Sequence, residues 1–446
     1  MSLPSLRPIR QALAGSLGRF PLVLLASLIA TGAFVIAIHS ESVSIAESVA
    51  IGYTCLRIGN SMFFAFPVLV AAAYAGELYP RLKWIAQGLA LLAVWGHWQF
   101  LEPNNPHHLH KFLLVSMAAL SLASAVPGLV ADPKSNWWRV NIGALNALVL
   151  SFILTAVVFI GLTLALMSIL LLFNLHAIFF HLDVAVVCGA LVMPLAATSL
   201  LPPAKEEMDL SQPGHAVWAR LCQWALVPIG FLFTAILAAY AVRILIERHL
   251  PDGMVALPVL TLGCYGLAAL WILEPWRNEK AWAKAFSRIF PVAFPLFSIL
   301  LILSLARRIQ EYGFTFDRYV ALALSIWIIL CCLVMLFRRS ASPAFGAALF
   351  TAFALVAAFG PLSSREVCLR SQTRILEKLL ANRSPKNDQR ICSALSYLTF
   401  YYDRSVVERF TGPLPIDKNV KSEKEIGDAA KKKLGIEHGD IIHPLR

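Results

Sequence analysis

Apolar runs of near-membrane length, cut by short polar connections, recur from Phe20 to Pro361. A helix needs about 20 mostly apolar residues to cross the hydrocarbon core of a bilayer. That ruler predicts spans near 20–38, 58–76, 84–102, 112–131, 146–174, 183–202, 223–246, 254–273, 290–308, 319–337 and 343–361, eleven in all. The fifth is long enough to tilt, or to begin as an interfacial helix at Trp137 and Trp138. Arg7, Arg10 and Arg19 ahead of the first run give it the look of a signal peptide. Its length, and the runs that follow, make it an uncleaved first span instead.

After Gly360-Pro361 the pattern changes, and residues 363–446 are polar, with 16 Lys+Arg and 11 Asp+Glu. Ser363 with Glu366 reads as a capping box opening a helix to about Ala381, with Ile375, Leu376, Leu379 and Leu380 on its apolar face. A second helix is predicted from Asp388, with Ile391, Leu395 and Leu398 on one side. A third is capped by Ser422 with Glu425 and stopped by Gly435. The expected fold is therefore all-α, a polytopic helical membrane bundle of about eleven transmembrane helices (1–362) with a small, basic, mainly helical extramembrane domain (363–446).

Composition supports that pattern. Of 446 residues, 58% are hydrophobic and 14% charged, where a soluble domain carries roughly 25% charged residues. A chain this apolar cannot cover its folded surface with polar groups, which excludes an ordinary soluble enzyme. The formal charge of +12 divides into +7 over residues 1–362 and +5 over the tail. It forms no patch suited to nucleic acid. With the N-terminus cytoplasmic, 15 basic residues of the membrane part fall on the cytoplasmic side and 7 on the other, as the positive-inside tendency requires. Trp84, Trp137, Trp138, Trp218, Trp224, Trp276 and Trp282 then form a cytoplasmic interfacial belt. An odd number of spans places the tail outside the cytoplasm; one span more or fewer reverses that.

Between spans, Pro275–Phe290 is too polar to cross. Arg277, Lys280, Lys284 and Arg288 share one helical face and Trp282, Phe286 and Ile289 the other, as in an interfacial helix resting on anionic headgroups. The densest polar stretch is Arg307–Tyr319, where Arg308 and Glu311 have ion-pair spacing, Gly313 reads as a helix stop and Asp317 as a cap. A structural hairpin is the plainer reading; Arg308, Glu311, Tyr312, Arg318 and Tyr319 as a site for an anionic headgroup is the functional one.

Other candidate chemistry is sparse. His107, His108 and His110, with His176 and His181 on the same expected face, could hold a transition metal. They lack the fixed spacing of a metalloprotease pair, and loop histidines at an interface are the plainer reading. No Asp, Glu or Lys occupies the middle third of an expected span, so a proton relay lacks support. Asn60, Gln87, Asn141, Asn146 and Tyr240 read as helix-packing groups. Cys55, Cys188, Cys222, Cys264, Cys331 and Cys332 read as small buried hydrophobes. For Cys368 and Cys392, a simple hairpin places them roughly 15 Å apart along its axis, too far for a disulfide.

The run FPLFSILLILSLARRIQEYGFTFDRYVALALSIWII, with Arg308, Tyr312-Gly313, Thr315 and Arg318-Tyr319, resembles the bacterial multi-pass family of domain of unknown function 4153. Pro228 to Tyr240, the Leu250-Pro251-Asp252-Gly253 turn, Trp138 to Asn141, and Gly360-Pro361 to Leu376 are also similar. The resemblance covers about residues 135–380 and implies a bacterial inner-membrane protein; it carries over no catalytic residues and no cofactor. The expected function is a non-enzymatic cell-envelope protein presenting a small domain. Its partners would be the lipid bilayer, anionic headgroups and an unknown envelope protein or small substrate. The alternative is a transporter or flippase for a small or amphipathic substrate; a membrane transferase ranks third, because the first outer loop offers only Glu41 and Glu47.

Overall fold

The computed structural model describes residues 14–40, 45–100, 106–129, 133–173, 179–204, 213–247, 256–338, 342–382, 384, 387–415 and 423–436. Every regular element among them is helical. After a helical stretch at 14–19, the longer helices in chain order are α1 (Pro21–Ile38), α2 (Ile45–Leu78), α3 (Lys83–Phe100), α4 (Pro106–Ala125) and α5 (Pro133–Leu172). Next come α6 (Phe180–Val186) and α7 (Met193–Leu200), joined by a π-helical stretch (Val187–Val192), then α8 (Pro213–Leu221) and α9 (Val227–Glu247), joined by another (Cys222–Leu226). The remainder are α10 (Ala256–Ile272), α11 (Ala281–Tyr312), α12 (Phe316–Phe337), α13 (Pro343–Ala358), α14 (Ser364–Ala381), α15 (Asp388–Tyr401), α16 (Arg404–Thr411) and α17 (Glu423–Lys433).

Eight helical stretches among the described residues are long and apolar enough to cross a membrane: 21–38, 50–78, 108–128, 136–172, 180–200, 217–244, 281–312 and 316–337. The other three expected spans are helices too, but α10 and α13 are short, and Lys83, Gln87, His97 and Gln99 dilute α3. Large apolar side chains such as Leu172, Trp224 and Phe337 stand exposed, the arrangement of a protein whose outer faces meet lipid. It is a polytopic helical membrane protein.

The chain divides into two compact units. The first comprises 1–103, 116–215 and 341–351; the second comprises 104–115, 216–340 and 352–446. In the first, the four carbonyls of Leu201-Pro202-Pro203-Ala204, just past α7, gather donors from other segments. Arg19 donates to Leu201 (2.8 Å) and Pro202 (2.9 Å), Arg139 to Pro203 (2.8 Å) and Asn136 to Ala204 (2.8 Å). Arg19 also pairs with Glu77 at 2.8 Å, and Glu77 accepts the Ala204 N–H at 2.8 Å. A helix end leaves carbonyls without intrahelical partners, and the two prolines offer no N–H, so side chains complete the bonding. Asn141 donates to Ser124 (3.1 Å) and Trp137 (2.9 Å), the packing role its position suggested.

In the second unit, α10 turns Gly263 and Gly266 toward α11, where Phe286, Phe290 and Phe294 stack with centroids 5.7 and 5.8 Å apart. A Cβ on Gly266 would lie 1.9 Å from Phe290, so only glycine admits that ring. Lipid is as apolar as a leucine side chain, so such close fits, rather than escape from water, hold membrane helices together.

Two expectations fail here. The predicted interfacial helix over 275–290 is not separate: α11 runs unbroken from Ala281 through Pro291 and Pro295 to Tyr312. Phe286 is buried against Phe231 (5.4 Å) instead of facing headgroups. Nor do all the tryptophans form a belt, since Trp137, Trp138 and Trp276 are buried in protein while Trp84 and Trp224 are exposed.

Candidate functional site

The polar stretch between α11 and α12 builds a three-residue turn. α11 ends where Gly313 takes φ = 76°, a left-handed conformation that favours glycine, and its N–H still bonds to the Ile309 carbonyl at 2.9 Å. Thr315 is extended, and Asp317 falls in the first turn of α12, where a carboxylate meets the positive end of the helix dipole. Arg318 reaches back to the Gly313 carbonyl at 2.7 Å.

The C-terminal helices close over this turn. Gln372 of α14 donates to the carbonyls of Tyr312 (3.0 Å) and Phe314 (2.9 Å). Ser371 accepts the Phe314 N–H at 2.9 Å and Tyr397 the Phe316 N–H at 3.1 Å. Tyr319 donates to Leu362 at 2.6 Å, and Arg390 of α15 donates to the Glu311 carbonyl. Phe314 and Tyr319 pack against a core of Cys368, Leu376, Ile391, Leu395, Leu398 and Val407. The backbone polar groups of an irregular turn need partners once buried, and α14 and α15 provide them.

Each candidate residue has a definite place. Tyr312 lies beneath the guanidinium groups of Arg318 and Arg390, each 5.8 Å from its ring centroid. Arg318 and Tyr319 spend their polar groups on the turn and on Leu362, and Glu311 gives its carbonyl to Arg390. The anticipated Arg308–Glu311 ion pair is not formed; Arg308 is half-buried and Glu311 is exposed. These residues shape the turn and hold the tail to it.

The histidine triplet falls in the first turns of α4, not in a loop. His110 is stacked on Phe316 (3.5 Å, 6° between planes) and lies 5.0 Å from Tyr401. His108 is half-buried; the His107 side chain, and all of His176, lie outside the described residues. Among the described residues no three His, Cys, Asp or Glu side chains gather as a metal site. Cys368 and Cys392 are both buried in the tail's core as thiols, with no disulfide between them. Burial pushes the Cys368 thiol up to about 11, against the opposing bond with the Tyr397 hydroxyl, and pushes Tyr397 and Tyr402 up as well.

Beside the turn opens a cavity of about 590 Å³. Its floor is apolar, from Ile309, Phe314, Val367 and Ile375, and its rim carries Arg370, Arg374 and Lys378 of α14, with no carboxylate among the lining residues. Arg370 donates to the Pro361 carbonyl at 3.0 Å and pairs with Glu366 at 3.9 Å, whereas Arg374 and Lys378 make no hydrogen bond or ion pair with a described residue. Four-residue steps put all three on one helical face. That spacing is visible in the sequence, but only the position of α14 against α11 makes it a wall of a cavity.

The family model described as domain of unknown function (DUF4153) matches residues 21–377. The chain belongs to this family. The match begins at the start of α1, so α1 to α4 are part of the family domain. It ends within α14, taking in the turn, Gln372 and the cationic face to Arg374. No curated protein and no solved structure matches the chain significantly.

Proposed function

We propose that this DUF4153 member is a non-enzymatic cell-envelope protein of the inner membrane that holds a small helical domain at the membrane surface for a partner. The observation that carries the reading is the clamp of Gln372, Ser371 and Tyr397 on the turn between α11 and α12. Such bonding gives the domain a set orientation at the end of two apolar helices. The distribution of basic residues supports a cytoplasmic N-terminus, and an odd span count would put the domain in the periplasm.

The test is complementation in a strain lacking the gene. The full chain should restore the wild-type envelope phenotype, while a chain ending at Leu362 should reach the membrane and fail to restore it. Restoration by the shortened chain would overturn the proposal. Reporter fusions after Arg446, active only in the periplasm or only in the cytoplasm, decide the side.

A second reading, a transporter for a small or amphipathic substrate, draws support from the π-helical stretches Val187–Val192 and Cys222–Leu226 inside two membrane-length helices. Such stretches often mark functional positions, because they free backbone groups within a helix. Solute uptake by proteoliposomes, abolished by substitutions at those stretches, would favour it.

A further inference from the structure

We propose that the cavity beside the α11–α12 turn binds the phosphate of an anionic phospholipid, its glycerol and upper acyl chain lying on the apolar floor. Three observations converge. The rim carries three cations, of which only Arg370 is paired (with Glu366, 3.9 Å), and the lining holds no carboxylate, so the site favours an anion. Adjacent cations on α14 are one turn, about 6 Å, apart along the helix axis. Two long side chains can therefore meet on one phosphate, with Arg offering paired donors. Arg374 and Lys378 are not committed to any described residue, and that leaves their donors to a ligand.

The floor decides between a lipid and a free phosphate. Ile309 and Phe314 flank the point where the membrane-length helix α11 ends and the chain turns back into α12. The cavity thus opens where a helix leaves hydrocarbon for headgroups, and it offers apolar surface that inorganic phosphate could not use. Arg and Lys at that level reach headgroups with their charged ends while their stems cover apolar surface. A lipid here is a ligand of the second unit alone, whether or not the domain also presents a surface to a protein.

The experiment uses the full chain in an uncharged detergent, with dioleoyl phosphatidylglycerol or dioleoyl phosphatidylcholine added. Native mass spectrometry should show phosphatidylglycerol retained in preference to phosphatidylcholine, and hydrogen exchange should slow over residues 367–378. The double variant Arg374→Gln/Lys378→Gln changes two side chains without a described partner and should melt like the parent. Its retention should be weaker by on the order of tenfold. Equal retention of the two lipids, or undiminished retention by a variant that melts normally, would overturn the proposal. Displacement by millimolar glycerol 3-phosphate or inorganic phosphate would overturn the lipid and assign the cavity to a soluble phosphoryl compound.

Discussion

Gly313 lies so near α14 that a Cβ placed on it would stand 2.9 Å from the Gln372 side-chain nitrogen. With φ at 76°, the position excludes a side chain on both backbone and packing grounds. Gly313→Ala should cost about 1–3 kcal/mol for the positive-φ, extended-ψ backbone alone, and more where Gln372 and Ile375 must move. Thermal unfolding of the detergent-solubilised protein should show a lower melting temperature, with the loss confined to the C-terminal helices by limited proteolysis.

Gln372→Ala removes donors from two backbone carbonyls beneath α14. An unsatisfied buried acceptor costs about 1–3 kcal/mol. Amide exchange over residues 313–316 and 364–381 should accelerate, while α1 and α2 exchange as in the parent. Unchanged exchange at the turn would mean that water replaces Gln372 without loss.

Raising the pH should unfold the C-terminal domain before the membrane helices. Cys368 has its pKa raised from 9.0 to about 11 in the folded state, and Tyr397 and Tyr402 shift upward from 10.0, all chiefly by burial. The unfolded state therefore releases these protons first, so stability is undiminished below about pH 9 and falls as pH rises beyond it. Far-UV circular dichroism should register partial helix loss. Below pH 8 a maleimide should label Cys368 only after denaturation.

The Arg19–Glu77 pair, with the Ala204 N–H on the same carboxylate, should behave as a unit. Glu77→Gln keeps the shape but leaves Arg19 without its counter-charge, and Arg19→Met deprives the carbonyls of Leu201 and Pro202. Each should lower the melting temperature, while the double variant should lose less than the two losses added, with a coupling of about 0.5–3 kcal/mol. Strict additivity would show that the contacts act separately.

Gly266→Ala brings a methyl group into the Phe290 ring and should sharply reduce the yield of folded protein. Phe290→Ala leaves a void in its place. Combining the two should recover yield relative to Gly266→Ala alone, since the smaller residue makes room; size-exclusion profiles in detergent would reveal it.

Much of this fold was legible in the chain. Apolar run length depends on bilayer thickness, a property external to the protein, so spans at 290–308 and 319–337 could be placed inside the helices 281–312 and 316–337 without knowing a neighbour. The tail was legible at its signals: Ser363 does accept the Glu366 N–H, at 3.5 Å, and Gly435 has φ = 62° at the end of α17. The short helix α16 was missed because Arg404–Thr411 bury only Val406, Val407 and Thr411, too few positions to set a period. The run from Pro275 to Phe290 misled because its basic face suits a membrane surface equally well whether its other face meets lipid or, as here, Gly230 and Phe231.

The sequence by itself determined that this is a helical membrane protein with a polar C-terminal domain, and it marked the stretch from Arg307 to Tyr319 as unusual. Only the tertiary structure decided what that stretch does. Helix length and polarity are local properties, written in consecutive residues. The bond from Gln372 to Phe314, and the cations of α14 above Ile309, join positions some sixty residues apart. No period along the chain encodes such a pairing, because it depends on how α14 packs against the end of α11.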